Sequence, residues 1–172
     1  MSASFLITWA TRSGSTEEVA RQLAAVLIEK GVAVDARPMR EVQSLDGYRA
    51  AILGAPLYIG RLHRDARRFL AAHRDELCAR RVALFVLGPV HAEEGEFATA
   101  ERQLRRELKK YPWFAPAVQQ IFGGRWDPSK LGFPLTWMPA LRNVEASDAR
   151  DWVAIRAWAA TLCDRLAAPA TA

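Results

Sequence analysis

Residues 5–16 read FLITWATRSGST, and this stretch decides the fold. Its first five residues are apolar and β-prone, which predicts a buried strand, and the strand ends abruptly in a hydroxyl-rich turn around Gly14. Apolar residues then recur at helical spacing between positions 19 and 27, so a helix should follow. Ser15 and Glu18 have the spacing of a capping box at its start.

Strands continue to alternate with helices along the chain. The alternating residues 32–37 predict a half-exposed edge strand, and the continuous apolar run at 82–87 predicts a central strand buried on both faces. Further elements are predicted as strands at 50–53 and 118–122 and helices at 66–77, 97–108 and 152–166, the last capped by Ser147 or Asp148. This alternation predicts an α/β fold, a doubly wound parallel sheet of five strands with helices on both faces.

The chain has 172 residues, enough for one well-buried core but too few for two ordinary domains, so we expect a single domain over residues 1–172. Prolines break the stretch of about 125–145 after the fifth strand, and we interpret it as an inserted loop. Its apolar part, 131–141, is shorter than the roughly 20 residues that cross a bilayer. We favour a cover for the core or a homodimer contact over a membrane interface, which the tryptophans of this stretch would also suit.

The formal charge of +5 favours anionic ligands or partners. No nucleic-acid motif accompanies the basic residues between 102 and 110, which predict a solvated helix face and no nucleic-acid binding. Cys78 and Cys163 lack the spacing of a disulfide framework or a zinc site. Because the amino end also lacks the pattern of a signal peptide, we expect a cytoplasmic protein, with peripheral contact to the inner face of the membrane as an option.

The turn after the first strand has the chemistry of a phosphate site. Gly14 lets the backbone approach an anion closely, and the following helix points its free N–H groups and positive dipole end at the same place. The hydroxyls around that glycine belong to Thr11, Ser13, Ser15 and Thr16. Neither a GxxxxGK[ST] loop nor a GxGxxG motif is present, so a monophosphate fits best. Such turns also serve simply as helix caps.

Two further loops follow strands at the same predicted edge of the sheet, where ligands of doubly wound folds bind. The loop at 54–63 offers glycines for backbone contact with a ring edge and apolar or aromatic side chains for its face. The loop at 88–91 offers backbone amides for the polar edge. The candidate ring-binding residues are Pro56, Leu57, Tyr58, Ile59, Gly60, Gly88, Pro89, Val90 and His91.

In this order and spacing, the three loops resemble those of the flavodoxin superfamily. The segment 11–16, which includes Arg12, resembles the FMN phosphate loop, and the other two loops resemble those that hold the isoalloxazine ring. Gly54, Ala55, Gly60 and His63 resemble the pattern of the branch that includes menaquinone-dependent protoporphyrinogen IX dehydrogenase. The resemblance implies a flavodoxin-like strand order of 2-1-3-4-5, noncovalent FMN, and a quinone or redox protein as electron acceptor.

The basic charge bears on the kind of redox role. Electron-carrier flavodoxins are typically acidic, and positive charge near a flavin stabilises its reduced, anionic ring and raises its potential. We therefore expect an FMN-dependent oxidoreductase, quinone-linked and protoporphyrinogen-dehydrogenase-like, although a carrier without its own substrate stays open. The alternatives are a flavin-free binding module on the same fold and a membrane-peripheral assembly subunit that uses the inserted loop.

Because a flavin performs the redox chemistry itself, no catalytic triad is required. His91 is the candidate proton donor, with an exposed loop histidine as the alternative. His63 either caps the next helix or borders the site, and His73 lies on an apolar helix stripe and should pack in the core. Arg12 and Arg61 could strengthen anion binding.

Overall fold

The structure is a computed structural model that describes residues 4–91, 93–130 and 145–167. The strands are β1 (Ser4–Trp9), β2 (Val34–Pro38), β3 (Tyr48–Tyr58), β4 (Arg61–Leu62), β5 (Arg81–Leu87), β6 (Val118–Phe122), β7 (Arg125–Trp126) and β8 (Ser147–Asp148). The helices are α1 (Ser15–Glu29), α2 (Arg64–Ala72), α3 (Arg74–Cys78), α4 (Glu94–Leu108) and α5 (Trp152–Ala167). Short 3₁₀ turns lie at Met39–Glu41 and Pro128–Lys130.

Five parallel strands form the main sheet in the order β2-β1-β3-β5-β6. Strand order reverses at β1, so the carboxyl ends of β1, β3 and β5 lie side by side, where such folds bind ligands. The predicted α/β fold and strand order are confirmed. The sequence reading missed the hairpin strand β4, which pairs antiparallel with the end of β3, and the extension of β3 from the predicted 50–53 to Tyr48–Tyr58.

Two apolar cores lie on opposite faces of the sheet, because successive side chains of a strand point to opposite sides. Phe5, Ile7 and Trp9 of β1 pack with α1 and α5 on one face. Leu6 of the same strand belongs to the other core, together with α2 and α4. In β5, every residue after Arg81 is buried, as its continuous apolar sequence predicted.

The predicted helix boundaries need three corrections. The capping box at Ser15 is wrong: Gly14 is the N-cap of α1, with no side-chain cap bond, and the Glu18 carboxylate binds arginines instead. Helix 66–77 is divided between α2 and α3 at His73. The cap of α5 is Asp151, whose side chain accepts a bond from the N–H of Ala154 at 3.0 Å.

The predicted caps of α5, Ser147 and Asp148, instead form β8, which pairs with β7 as a two-stranded ribbon. The ribbon joins the two ends of the predicted insertion, whose residues 131–144 lie outside the described part of the chain. None of the helices within the described ranges is long and apolar enough to cross a membrane.

Candidate functional site

The turn between β1 and α1 presents backbone N–H groups to open space. Gly14 adopts a left-handed conformation (φ 89°) and donates its N–H to Thr11 Oγ1 at 2.9 Å. A Cβ added at Gly14 would meet no atom within 4 Å. The next N–H groups, from Ser15 to Glu17, belong to the first helical turn and therefore have no intrahelical acceptor.

A buried hydroxyl marks the same turn. Thr16 is 0% exposed, and its Oγ1 has no hydrogen-bond partner among the described residues. A buried polar atom normally has a partner, and one left without it calls for an explanation such as a ligand. Together with the open N–H groups, this hydroxyl fits the phosphate of a bound cofactor.

The second predicted loop is a β-hairpin. Tyr58 pairs with Arg61 across a two-residue turn, and both turn residues have positive φ, 47° at Ile59 and 71° at Gly60. Two positive φ angles give the twist that joins neighbouring antiparallel strands tightly. The turn leaves the Ile59 side chain 99% exposed at the rim of the site.

Tyr58 connects this hairpin to the phosphate turn. Its hydroxyl lies near the side chains of Ser13 and Arg12. Burial raises the pKa of the Tyr58 hydroxyl above its ordinary value, although both neighbours act in the opposite direction. The phenol therefore stays protonated at neutral pH and can both donate and accept a hydrogen bond.

The third loop closes tightly around the end of β5. Gly88 donates its N–H to the Phe122 carbonyl at 3.0 Å, and Gly124 donates to the Pro89 carbonyl at 2.6 Å. Side chains have no room here: a Cβ at Gly88 would lie 3.2 Å from Ile121, and one at Gly124 would lie 2.9 Å from the Gly88 carbonyl oxygen. The backbone itself therefore forms this wall of the site.

A cleft of about 530 Å³ opens between the hairpin, the third loop and the amino-terminal half of α4. Its volume is in the range of small-molecule sites. The predicted site residues that line it are Ser15, Pro56, Leu57, Tyr58, Ile59, Gly88, Pro89 and Val90. Thr11, Arg12, Ser13, Gly14 and Thr16 form the adjoining phosphate turn, whereas Gly60 and His91 do not line the cleft.

Sequence reasoning missed one wall of the cleft and part of another. The missed residues are Gly124, Arg125 and Trp126 on or beside the ribbon, and Glu93, Glu96, Thr99 and Gln103 on or beside α4. A signal for the ribbon was available, since Trp126 follows a glycine pair directly after β6, at the same edge of the sheet as the other loops. The indole N–H of Trp126 is buried without a partner among the described residues.

The histidines divide between structural roles and an exposed loop position. His63 is the N-cap of α2, and its Nδ1 accepts a bond from the N–H of Asp65 at 3.2 Å. Burial lowers the pKa of the His63 ring, which keeps it neutral and able to accept at neutral pH. His73 is buried against Phe69, with ring centroids 4.4 Å apart. His91 is exposed beside the site.

The charge around the cleft differs from the charge of the whole chain. Its charged lining residues are Glu93, Glu96 and Arg125, so the basic character of the protein is not concentrated on the ring-binding walls. Local charge, and not net charge, acts on a bound ring at close range. The expectation that positive charge raises the flavin potential therefore finds no support in the charges that line the cleft.

Residues 6–139 match the family model of the flavodoxin domain. Because this match covers well over half of the chain, the protein belongs to the flavodoxin domain family. Membership implies FMN as the cofactor, as predicted, and flavin-based redox or electron transfer as the role. The open turn at Gly14, the unpartnered Thr16 hydroxyl and the adjoining cleft fit this cofactor.

Solved structures show the same fold. A flavodoxin from Streptococcus pneumoniae TIGR4 is similar at 16% identity and a TM-score of 0.57, over 98% of this chain and 100% of that one. Oxidised flavodoxin 2 from Bacillus cereus is similar at 19% identity and a TM-score of 0.56, over 96% and 98%.

A flavo di-iron protein from Thermotoga maritima is similar at 17% identity and a TM-score of 0.59, over 96% of this chain but 36% of its own. No curated protein matches the sequence. In the described part of the chain, no group of three or more histidine, cysteine or acidic residues could hold a metal ion.

Proposed function

We propose that the protein is an FMN-dependent oxidoreductase that holds the FMN phosphate in the turn at residues 11–16 and the ring in the adjoining cleft. The observation that carries the proposal is the Gly14 turn: a Cβ there would meet no atom within 4 Å, and Ser15, whose N–H has no intrahelical acceptor, lines the cleft. When bound, FMN supplies hydride and single-electron chemistry. The chain binds, orients and shields it.

The residues divide this work between backbone and side chains. The first turn of α1 and the Thr16 hydroxyl donate to the phosphate, where the helix dipole also favours negative charge. Leu57 and Tyr58 offer apolar and aromatic surface to the ring. The backbone of the third loop, at Gly88, would form another wall for the ring; a Cβ there would lie 3.2 Å from Ile121.

For the electron acceptor we propose a quinone, as in the protoporphyrinogen-dehydrogenase-like branch. Two apolar residues that line the cleft support this choice: Ile59, which is 99% exposed, and Trp126. Apolar surface of this kind suits a flat, uncharged molecule better than the charged surface of a partner protein. A redox partner protein is the alternative acceptor.

The cofactor site is tested by titrating the apoprotein with FMN and following flavin fluorescence. Gly14→Asp should weaken binding by about a hundredfold or more, since it adds bulk and negative charge where the phosphate lies. Gly47→Asp is the matched control: Gly47 has a similar φ of 83° and the same open surroundings, at the opposite edge of the sheet. Equal affinity in the two variants would show that the turn does not hold the phosphate.

The acceptor is tested by reducing the FMN-loaded protein without oxygen and adding quinones, ferricyanide as a nonspecific oxidant, or redox proteins in separate reactions. Faster reoxidation by quinones than by redox proteins is expected. If quinones reoxidise the reduced flavin no faster than buffer alone does, the quinone assignment is contradicted and the role of an electron carrier remains. Porphyrinogen oxidation, followed by porphyrin fluorescence, tests the narrower substrate.

A further inference from the structure

The ribbon formed by β7 and β8 carries a lysine to the phosphate turn. Lys130, at the end of the 3₁₀ turn that follows β7, places its Nζ 3.3 Å from the carbonyl oxygen of Ser13. Ser13 is in the middle of the turn at residues 11–16, far from Lys130 in the sequence. This bond uses one of the three N–H donors of the ammonium and holds its positive charge beside the turn.

Salt bridges hold the ribbon firmly against the first helix. Arg125 of β7 lies 3.4 Å from one carboxylate oxygen of Glu18, and Arg150, just after β8, lies 2.7 Å from the other. The Arg150 side chain is only 3% exposed and also binds Asp148 at 2.6 Å. A buried guanidinium with two carboxylate partners fixes the ribbon relative to the start of α1.

The carboxylate of Asp127 interacts electrostatically with Lys130 but takes its hydrogen bonds from other groups. The carboxylate of Asp127 accepts bonds from the hydroxyl and the N–H of Ser129, at 2.6 and 3.0 Å, and lies 3.3 Å from Arg125. These contacts shape the turn and hold the pKa of Asp127 below its ordinary value. Lys130 acts on Asp127 only through longer-range electrostatics and forms no ion pair within 4.0 Å among the described residues, so its ammonium can still meet an anion at the turn.

We propose that Lys130 is a phosphate-binding residue that completes the FMN site from outside the turn at residues 11–16. This inference rests on the proposed function. A phosphate monoester carries about −1.5 to −2 charges at neutral pH, more than the one cation of the turn, Arg12, balances together with the neutral N–H groups and hydroxyls. A flexible lysine side chain that already touches the turn supplies a matching positive charge.

The experiment compares FMN with riboflavin, which has the same ring but no phosphate. Lys130→Met should raise the dissociation constant of FMN about three- to tenfold at low salt, and that of riboflavin by less than about twofold. The salt dependence of FMN binding should become weaker, because one charge pair is lost. Lys130→Arg should keep most of the FMN affinity.

Lys109→Met is the matched control, since Lys109 is an exposed lysine just after α4, and it should change neither constant. An equal loss for both ligands in Lys130→Met would assign Lys130 to support of the ribbon and overturn the inference. Unchanged FMN binding would overturn it as well. If the wild-type protein binds neither ligand, the proposed function falls and this inference falls with it.

Discussion

Two polar clusters of this chain use their hydrogen-bonding groups in opposite ways. On one side of α3, the Glu76 carboxylate accepts bonds from the Ser44 hydroxyl at 2.9 Å and the Leu45 N–H at 2.6 Å, and it lies 2.5 Å from Nδ1 of His73. At the phosphate turn, by contrast, the buried Thr16 hydroxyl has no partner among the described residues.

The difference separates a cluster that supports the fold from one that fits a ligand. Glu76 gains its partners within the chain, and the His73 hydrogen bond together with the Leu45 N–H lowers the pKa of its carboxyl to about 2. The N–H groups of Ser15 to Glu17 lack intrahelical acceptors, and a bound anion would provide them. Substitutions in the first cluster should therefore change stability, and those in the second should change ligand affinity.

The largest effect is expected from removing the carboxylate at the centre of the Glu76 cluster. Glu76→Ala removes the common acceptor of Ser44, Leu45 and His73 and should lower the free energy of unfolding by about 3 kcal/mol, because a buried histidine and a backbone N–H lose their partner. Urea denaturation measures this loss. FMN affinity should stay unchanged, and a parallel loss of affinity would contradict the separation of the two clusters.

Acid should weaken the same cluster. The folded-state pKa of Glu76 is about 2, below the ordinary 4.5, so its contribution is complete above that ordinary value and is lost as the pH falls toward 2. Over this pH window the free energy of unfolding of the wild type should fall by about 2 kcal/mol more than that of Glu76→Gln, after allowance for the partial exposure of the carboxylate. Parallel stability curves for the two proteins between pH 5 and pH 3 would refute the assignment.

The opposite pattern is expected at the phosphate turn. Thr16→Val replaces an unpartnered buried hydroxyl by a methyl group of similar shape, so the apoprotein should unfold at the same urea concentration or slightly higher. FMN should bind about tenfold more weakly, because the hydroxyl no longer donates to the phosphate. Riboflavin binding is the control and should hardly change. A destabilised apoprotein with full FMN affinity would mean that Thr16 serves the fold.

The smallest effect should come from Tyr58→Phe. The hydroxyl lies near Ser13 of the neighbouring loop, while the variant keeps the aromatic ring of this cleft-lining residue. We expect FMN affinity within about twofold of wild type and a stability loss below about 1 kcal/mol. A larger loss of FMN affinity in the same titration would indicate that the hydroxyl contacts the cofactor directly.

Local sequence was sufficient for the features that depend on neighbouring residues. The apolar run at 82–87 predicted a buried central strand, and every residue of β5 after Arg81 is buried. The anion site at the Gly14 turn, whose donors are adjacent in the chain, stays a prediction. The ribbon was not predictable in this way. Trp126 reaches the cleft through pairing with Ser147, a partner that lies beyond the insertion.

The predictions of two helix ends were wrong for a related reason. The predicted cap residues Ser147 and Asp148 are good N-caps by type, yet the ribbon uses them, and Asp151 caps α5 instead. Glu18 has the right spacing for a capping box, but two arginines from the ribbon bind its carboxylate. In both cases a long-range contact competes with a local one and prevails, because the local bond contributes only about 1 kcal/mol.

Because the ribbon is attached to Glu18 beside both of its strands, the segment between β7 and β8 is a suitable place to replace one sequence by another. Because β7 and β8 pair with each other, both ends of this segment are fixed. The entropic cost of closing it therefore grows only with the logarithm of its length, about 0.6 kcal/mol for each doubling. Foreign peptides could be grafted between Lys130 and Glu145 without rebuilding the sheet.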